Sequence, residues 1–155
     1  MTTLHSKDKV IYAKGGFGNK FYLPETDKLI CNDIEIQNTN IIMICNGTGI
    51  TPFYSILTNL HPKTKYNFKL FAAFRTREDA YLINDVKGYT EAFIASENNK
   101  LNQTLVHTIV SDHEDPVVLI CGTVSFVAMV REKCKELKKR YHCLKTNYWH
   151  IQLFP

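Results

Sequence analysis

From residue 40 onward, short apolar runs alternate with segments in which apolar and polar positions mix at helical spacing. The runs 41–45, 68–74, 93–95, 117–121 and 148–153 read as strands, and the wholly apolar ones read as strands covered on both faces. Between them, 52–60 reads as a helix with Pro52 in its first turn, and 125–141 as a long helix with Ser125 available as its cap. Weaker helical patterns occupy 79–89 and 101–110. Strands alternating with helices predict right-handed crossovers and hence an α/β fold, with a five-stranded, mostly parallel, doubly wound sheet.

The first thirty-nine residues follow a different pattern. A strand-like 9–13 precedes a glycine cluster at Gly15, Gly16 and Gly18; a second strand-like piece, 21–23, leads into a polar stretch. This reads as the tail of a larger unit followed by a linker, with the domain boundary between 39 and 40.

Composition narrows the class. A chain of 155 residues with 45% hydrophobic and 22% charged residues has the makings of one globular core. The net charge of +4 concentrates only at Lys133, Lys135, Lys138, Lys139 and Arg140. Glu132 and Glu136 interleave with these, so the run reads as a solvated helix face rather than a nucleic-acid or acidic-protein docking site. Cys31, Cys45, Cys121, Cys134 and Cys143 form no CxxC pair and are odd in number, which argues against a disulfide framework or a zinc site. No apolar run approaches the roughly 20 residues that span a bilayer, and 1–8 lacks a signal-peptide core. The expected compartment is the reducing cytoplasm, with any membrane association supplied by other segments or a partner.

The sharpest local feature is the sequence Cys45-Asn46-Gly47-Thr48-Gly49-Ile50-Thr51-Pro52, set between an apolar strand and a helix. Glycines in such a turn let the backbone approach a diphosphate, and the helix start favours negative charge. Thr48 and Thr51 add hydroxyl donors. Gly49, nearest the helix, is expected to be where a side chain obstructs the diphosphate. The turn is neither a full GxGxxG fingerprint nor a Walker loop, and by itself it favours phosphate binding only weakly over a plain tight turn.

Gly47 to Pro52 resembles the Gly-Thr-Gly-Ile-Thr/Ala-Pro loop of the pyridine-nucleotide domain in the ferredoxin-reductase family, which includes cytochrome b5 reductases and diflavin reductases. Two further segments match in order: Phe71 to Asp79, similar to the family's second strand and its following turn, and Val118 to Phe126, with Cys121-Gly122 and Phe126, similar to its Cys-Gly-Pro-x-x-Phe/Met turn. The resemblance implies that Gly47, Thr48, Gly49, Ile50, Thr51 and Pro52 hold the diphosphate. It implies that Cys121, Gly122 and Phe126 lie beside the nicotinamide, Cys121 as a positioning contact and not a nucleophile; the plain alternative for Cys121 is a small buried apolar residue. Phe154 would cover the flavin ring, with Tyr148 and Trp149 as rivals. Three positions depart from the pattern. Thr123 stands for the usual proline, Asn46 for a usual glycine or alanine, and Gly16 for a frequent proline. The flavin-gripping Arg-x-Tyr-Ser/Thr segment occurs nowhere in the chain, and only 9–23 resembles the end of a flavin domain.

Arg75, Thr76, Asp79 and Ser96 fall at strand ends that would receive the adenosine half. A ribose 2'-phosphate wants cations there, whereas the plain diol suits an acidic acceptor. Arg75 and Arg77 favour the phosphate; Glu97, where NADPH-dependent diflavin reductases carry arginine, repels it, and Asp79 suits the diol. NADH is therefore the expected donor, with NADPH the alternative.

The resemblance implies a flavoprotein reductase like NADH-cytochrome b5 reductase, in which FAD takes hydride and passes single electrons to a haem or iron-sulfur protein such as cytochrome b5. The alternatives are the NADPH-binding part of a diflavin reductase, a nucleotide-binding module without turnover, and a scaffold domain whose glycine turn binds nothing.

Overall fold

The computed structural model describes residues 2–6, 9–13 and 21–144. Strands β1 (Thr2–Ser6) and β2 (Lys9–Ala13) form an antiparallel pair. The strand expected at 148–153 and the glycines at 15–18 lie outside the described residues.

The central sheet is built from β6 (Asn40–Asn46), β7 (Asn67–Phe74), β8 (Thr90–Ile94), β9 (Val117–Cys121) and β10 (Arg140–Cys143). All its pairings are parallel, in the order β10-β9-β6-β7-β8. The five-stranded α/β sheet expected from the pattern is present. Ile41, Met43 and Cys45 of β6 face one core layer, while Ile42 and Ile44 face the other. Burial on both faces is why β6 and β9 lack polar alternation.

Helix α1 (Thr51–Leu57) packs on the first layer. Helices α2 (Gln103–Ser111) and α3 (Val124–Glu136) pack on the second. The Asn102 side chain caps α2 by accepting from the Leu105 amide at 3.0 Å. The segment expected as helix at 79–89 forms a 3-10 helix, Glu78–Val86, broken at Ala80 (φ −94, ψ 22).

The long C-terminal helix is shorter than expected. It starts after Thr123 rather than at a Ser125 cap, and ends at Glu136. Lys138 takes a left-handed φ of 54, its amide donates to the Lys135 carbonyl, and the Lys139 amide donates to that of Cys134 at 2.8 Å. This is a Schellman ending made without glycine, which is why no stop signal stood in the sequence. Residues read as the last helical turn instead contribute to β10, the sheet's described fifth strand.

The stretch expected as a polar linker also carries structure. β3 (Tyr22–Leu23), β4 (Lys28–Cys31) and β5 (Ile34–Glu35) form an antiparallel arm. Its Leu29, Cys31 and Ile36 are buried in the same cluster as β6. Two tyrosines fasten the arm to the domain. The Tyr66 hydroxyl donates to the Ile36 carbonyl at 2.9 Å and accepts from the Leu29 amide at 3.1 Å. The Tyr22 hydroxyl donates to Asp27 at 2.6 Å and accepts from the His61 amide at 3.0 Å. Asp27 also accepts from Thr64 and from the Lys65 amide, each at 2.7 Å. Its carboxyl sits below the usual range: partial burial opposes this, but the bonds from Lys65, Tyr22 and Thr64 outweigh it. No helix among the described residues is long and apolar enough to cross a membrane.

Candidate functional site

In a parallel doubly wound sheet the chain leaves the central strand in one direction, then returns to build outward in the other. The crevice outside the carboxyl ends at that reversal is where ligands bind. Here the reversal falls between β6 and β9, in which Cys45, next to the end of β6, and Cys121, the last residue of β9, are register partners. The Gly47 turn and the Gly122 turn are therefore side by side at the carboxyl edge.

The Gly47 turn is a 3-10 segment, Gly47–Ile50, running directly into α1. Gly47 has φ +52, and a side chain there would meet nothing within 4 Å. Gly47 and Thr48 are exposed, so this is the open stretch of backbone. Gly49 is packed against the facing turn, a contact the sequence did not signal. A Cβ on it would lie 2.5 Å from the Cys121 carbonyl oxygen, 2.7 Å from its carbon and 2.9 Å from Gly122 Cα. Its missing side chain lets the two turns touch. Ile50 is buried in the core beside Phe53. The Thr51 hydroxyl donates to the Thr48 carbonyl at 3.0 Å, bracing the turn from inside. Pro52 occupies the first turn of α1, where no amide hydrogen is required.

On the facing turn, Cys121 ends β9 with 1% exposure, on the same core face as Cys45. Burial pushes its thiol up to about 11, so it is neutral and a poor nucleophile near neutrality. Gly122, at φ +155, has Asn46 and Phe126 where a side chain would go. Phe126 lies half-buried on α3 against the second core layer.

The remaining expected residues gather at the ends of β7 and β8, further along the same edge. The Ser96 amide donates to the Arg75 carbonyl at 3.0 Å. The Asp79 carboxylate accepts from the Thr76 amide at 3.2 Å and hydroxyl at 3.1 Å, closing the turn after β7. Arg77 and Glu97 form a two-pronged pair, both contacts at 2.6 Å. That contact holds the Glu97 carboxyl below its usual range. Phe154, Tyr148 and Trp149 lie outside the described residues.

Sequence reasoning passed over two features of this edge. Asn46 and Thr123, noted only as departures from a motif, bond to each other across the two turns. Val124, opening α3 beside Gly122, is 82% exposed; a lone apolar residue in a polar turn gave no periodic signal.

Residues 43–132 match the model of a protein family described as the oxidoreductase NAD-binding domain. That span is more than half of the chain and takes in both turns. The chain belongs to this oxidoreductase NAD-binding domain family. No curated protein matches the sequence. Solved structures that share the fold include two cytochrome P450 proteins. One is full-length CYP116B46 from Tepidiphilus thermophilus, at TM-score 0.56 and 9% identity over 69% of this chain and 14% of that one. The other is an intact type IV self-sufficient cytochrome P450 monooxygenase, at TM-score 0.55 and 15% identity over 84% of this chain and 16% of that one. The chain thus spans about one seventh of the length of those proteins. This NAD-binding oxidoreductase domain has the ferredoxin-reductase-like architecture, as its motifs implied.

Proposed function

We propose that the chain binds a nicotinamide dinucleotide across its carboxyl edge and presents it for hydride transfer to FAD held by a flavin domain. The diphosphate lies over Gly47 and Thr48, the nicotinamide beside Gly122, and the adenosine toward the ends of β7 and β8. The observation that carries this reading is the meeting of the two glycine turns at the switch point, inside the span matched by the family model.

The residues present suit a dinucleotide. At Gly47 the backbone is bare and open, with space where a side chain would stand. Cys121 acts by position, as a small neutral group ending β9. FAD has no comparable seat in the sequence, which lacks the Arg-x-Tyr-Ser/Thr segment, so residues 9–23, which resemble the end of a flavin domain, serve at most as its closing part. Held by that domain, FAD would supply the conversion between a two-electron hydride donor and single-electron transfer, while this chain binds and orients the nicotinamide. The acceptor is a haem or iron-sulfur protein. Cytochrome b5 is one candidate, and the two cytochrome P450 neighbours favour a haem acceptor in general.

NADH is preferred to NADPH. Arg77 would attract a 2'-phosphate, but Glu97 already engages it and brings a negative charge to the same place. In titrations of the full chain, NADH is expected to bind more tightly than NADPH, and FAD hardly at all. Glu97→Gln frees Arg77, so NADPH affinity should rise several-fold while the melting temperature stays nearly constant, since exposed ion pairs contribute little to stability. Tighter binding of NADPH than NADH by the unaltered chain would contradict the preference.

A further inference from the structure

Two residues well suited to cap their own elements both leave that role undone at this site. Asn46 precedes the Gly47 turn and Thr123 precedes α3, both in extended backbone, and neither side chain makes a capping bond. Each reaches across the cleft to the other instead. Asn46 Oδ1 accepts from the Thr123 amide at 2.9 Å, and Asn46 Nδ2 donates to Thr123 Oγ1 at 3.2 Å. The bridge passes over Gly122, where an added Cβ would strike Asn46 Oδ1. It joins the last residue of β6 to the turn after β9.

We propose that Asn46 and Thr123 are paired positioning residues, a latch that fixes the spacing of the two turns to which one dinucleotide must bind at once. The inference rests on the dinucleotide site argued above and deepens it. Sheet pairing holds the strands themselves in register as far as Cys45 and Cys121. Beyond that point the turns depend on the Gly49 packing and on this bridge. A ligand that spans both turns is sensitive to a shift of either, because binding demands a prepared geometry and any reordering is charged against affinity. The two positions also depart together from the pattern described above, and they are each other's partners.

The pair predicts coupling. Asn46→Ala removes the bridge from one side. Thr123→Pro removes both its amide hydrogen and its hydroxyl, and the native φ of −65 at that position suits proline. Thr123→Ser keeps both groups. NADH dissociation constants are measured on the full chain, at a temperature where each variant is shown by circular dichroism to be folded. Asn46→Ala and Thr123→Pro should each weaken NADH binding about five- to tenfold, the range of a modest coupling energy. The double variant should be no weaker than the weaker single one, and Thr123→Ser should match the parent. A merely structural role would lower the melting temperature and leave the dissociation constant of the folded protein unchanged. Normal binding by the parent, with single variants equal to it or with losses that multiply in the double variant, overturns the latch alone. Failure of the parent to bind NADH overturns the functional reading and the latch together.

Discussion

Gly49→Ala is expected to destabilise the protein by about 1–3 kcal/mol, and Gly49→Val by more, because the new atoms meet backbone that cannot rotate away. In a domain of this size each kilocalorie lowers the melting temperature by roughly 2–4 °C. Gly47→Ala should behave differently. Its side chain enters open space, leaving only the cost of a left-handed backbone, about 1–2 kcal/mol, yet it covers the surface offered to the diphosphate. Thermal melts and NADH titrations of both variants should therefore separate two glycines that lie two positions apart: Gly49 holds the turns together, and Gly47 leaves them open. Equal stability of Gly49→Ala and the parent would remove the packing explanation.

Leu29→Ala should be equally damaging although it lies in the stretch of most linker-like composition. Leu29 is fully buried against the core that β6 and Tyr66 share, and truncating such a leucine costs about 2–5 kcal/mol. Ile34→Ala on the same arm, where the side chain is 58% exposed, should fall within about 0.5 kcal/mol of the parent. Denaturant melts of the two variants test whether the arm is integral to the domain. A linker would tolerate both changes alike.

These two cases mark where the sequence was readable and where it was not. β6 and β9 announced themselves because burial on both faces leaves no polar position to blur the run, and the glycine turns were visible as motifs between strand and helix. The arm was obscured because its strands are two to four residues long and only β4 alternates, between half-buried and buried positions, too short a run to stand out from the polar residues around it. The end of α3 was misread because Lys138 takes the left-handed conformation usually given to glycine. At the site, residue types marked the two glycine turns that the sheet brings side by side, but could not assign tasks within them. Whether a glycine admits a ligand or a neighbouring backbone is a matter of which direction the absent side chain faces. Likewise Asn46 and Thr123 stand 77 positions apart, and a contact at that separation leaves no trace in local pattern.

The most direct test is to titrate the isotopically labelled full chain with NADH and follow every backbone amide by nuclear magnetic resonance. The account predicts saturable shifts concentrated at Gly47, Thr48, Gly122, Thr123 and Val124, with a second group at Arg75 to Asp79 and Ser96. Shifts centred on the opposite, amino edge of the sheet, where Asn67, Lys69, Lys87 and Glu91 line an open groove, or no shifts at all at millimolar NADH, would contradict it.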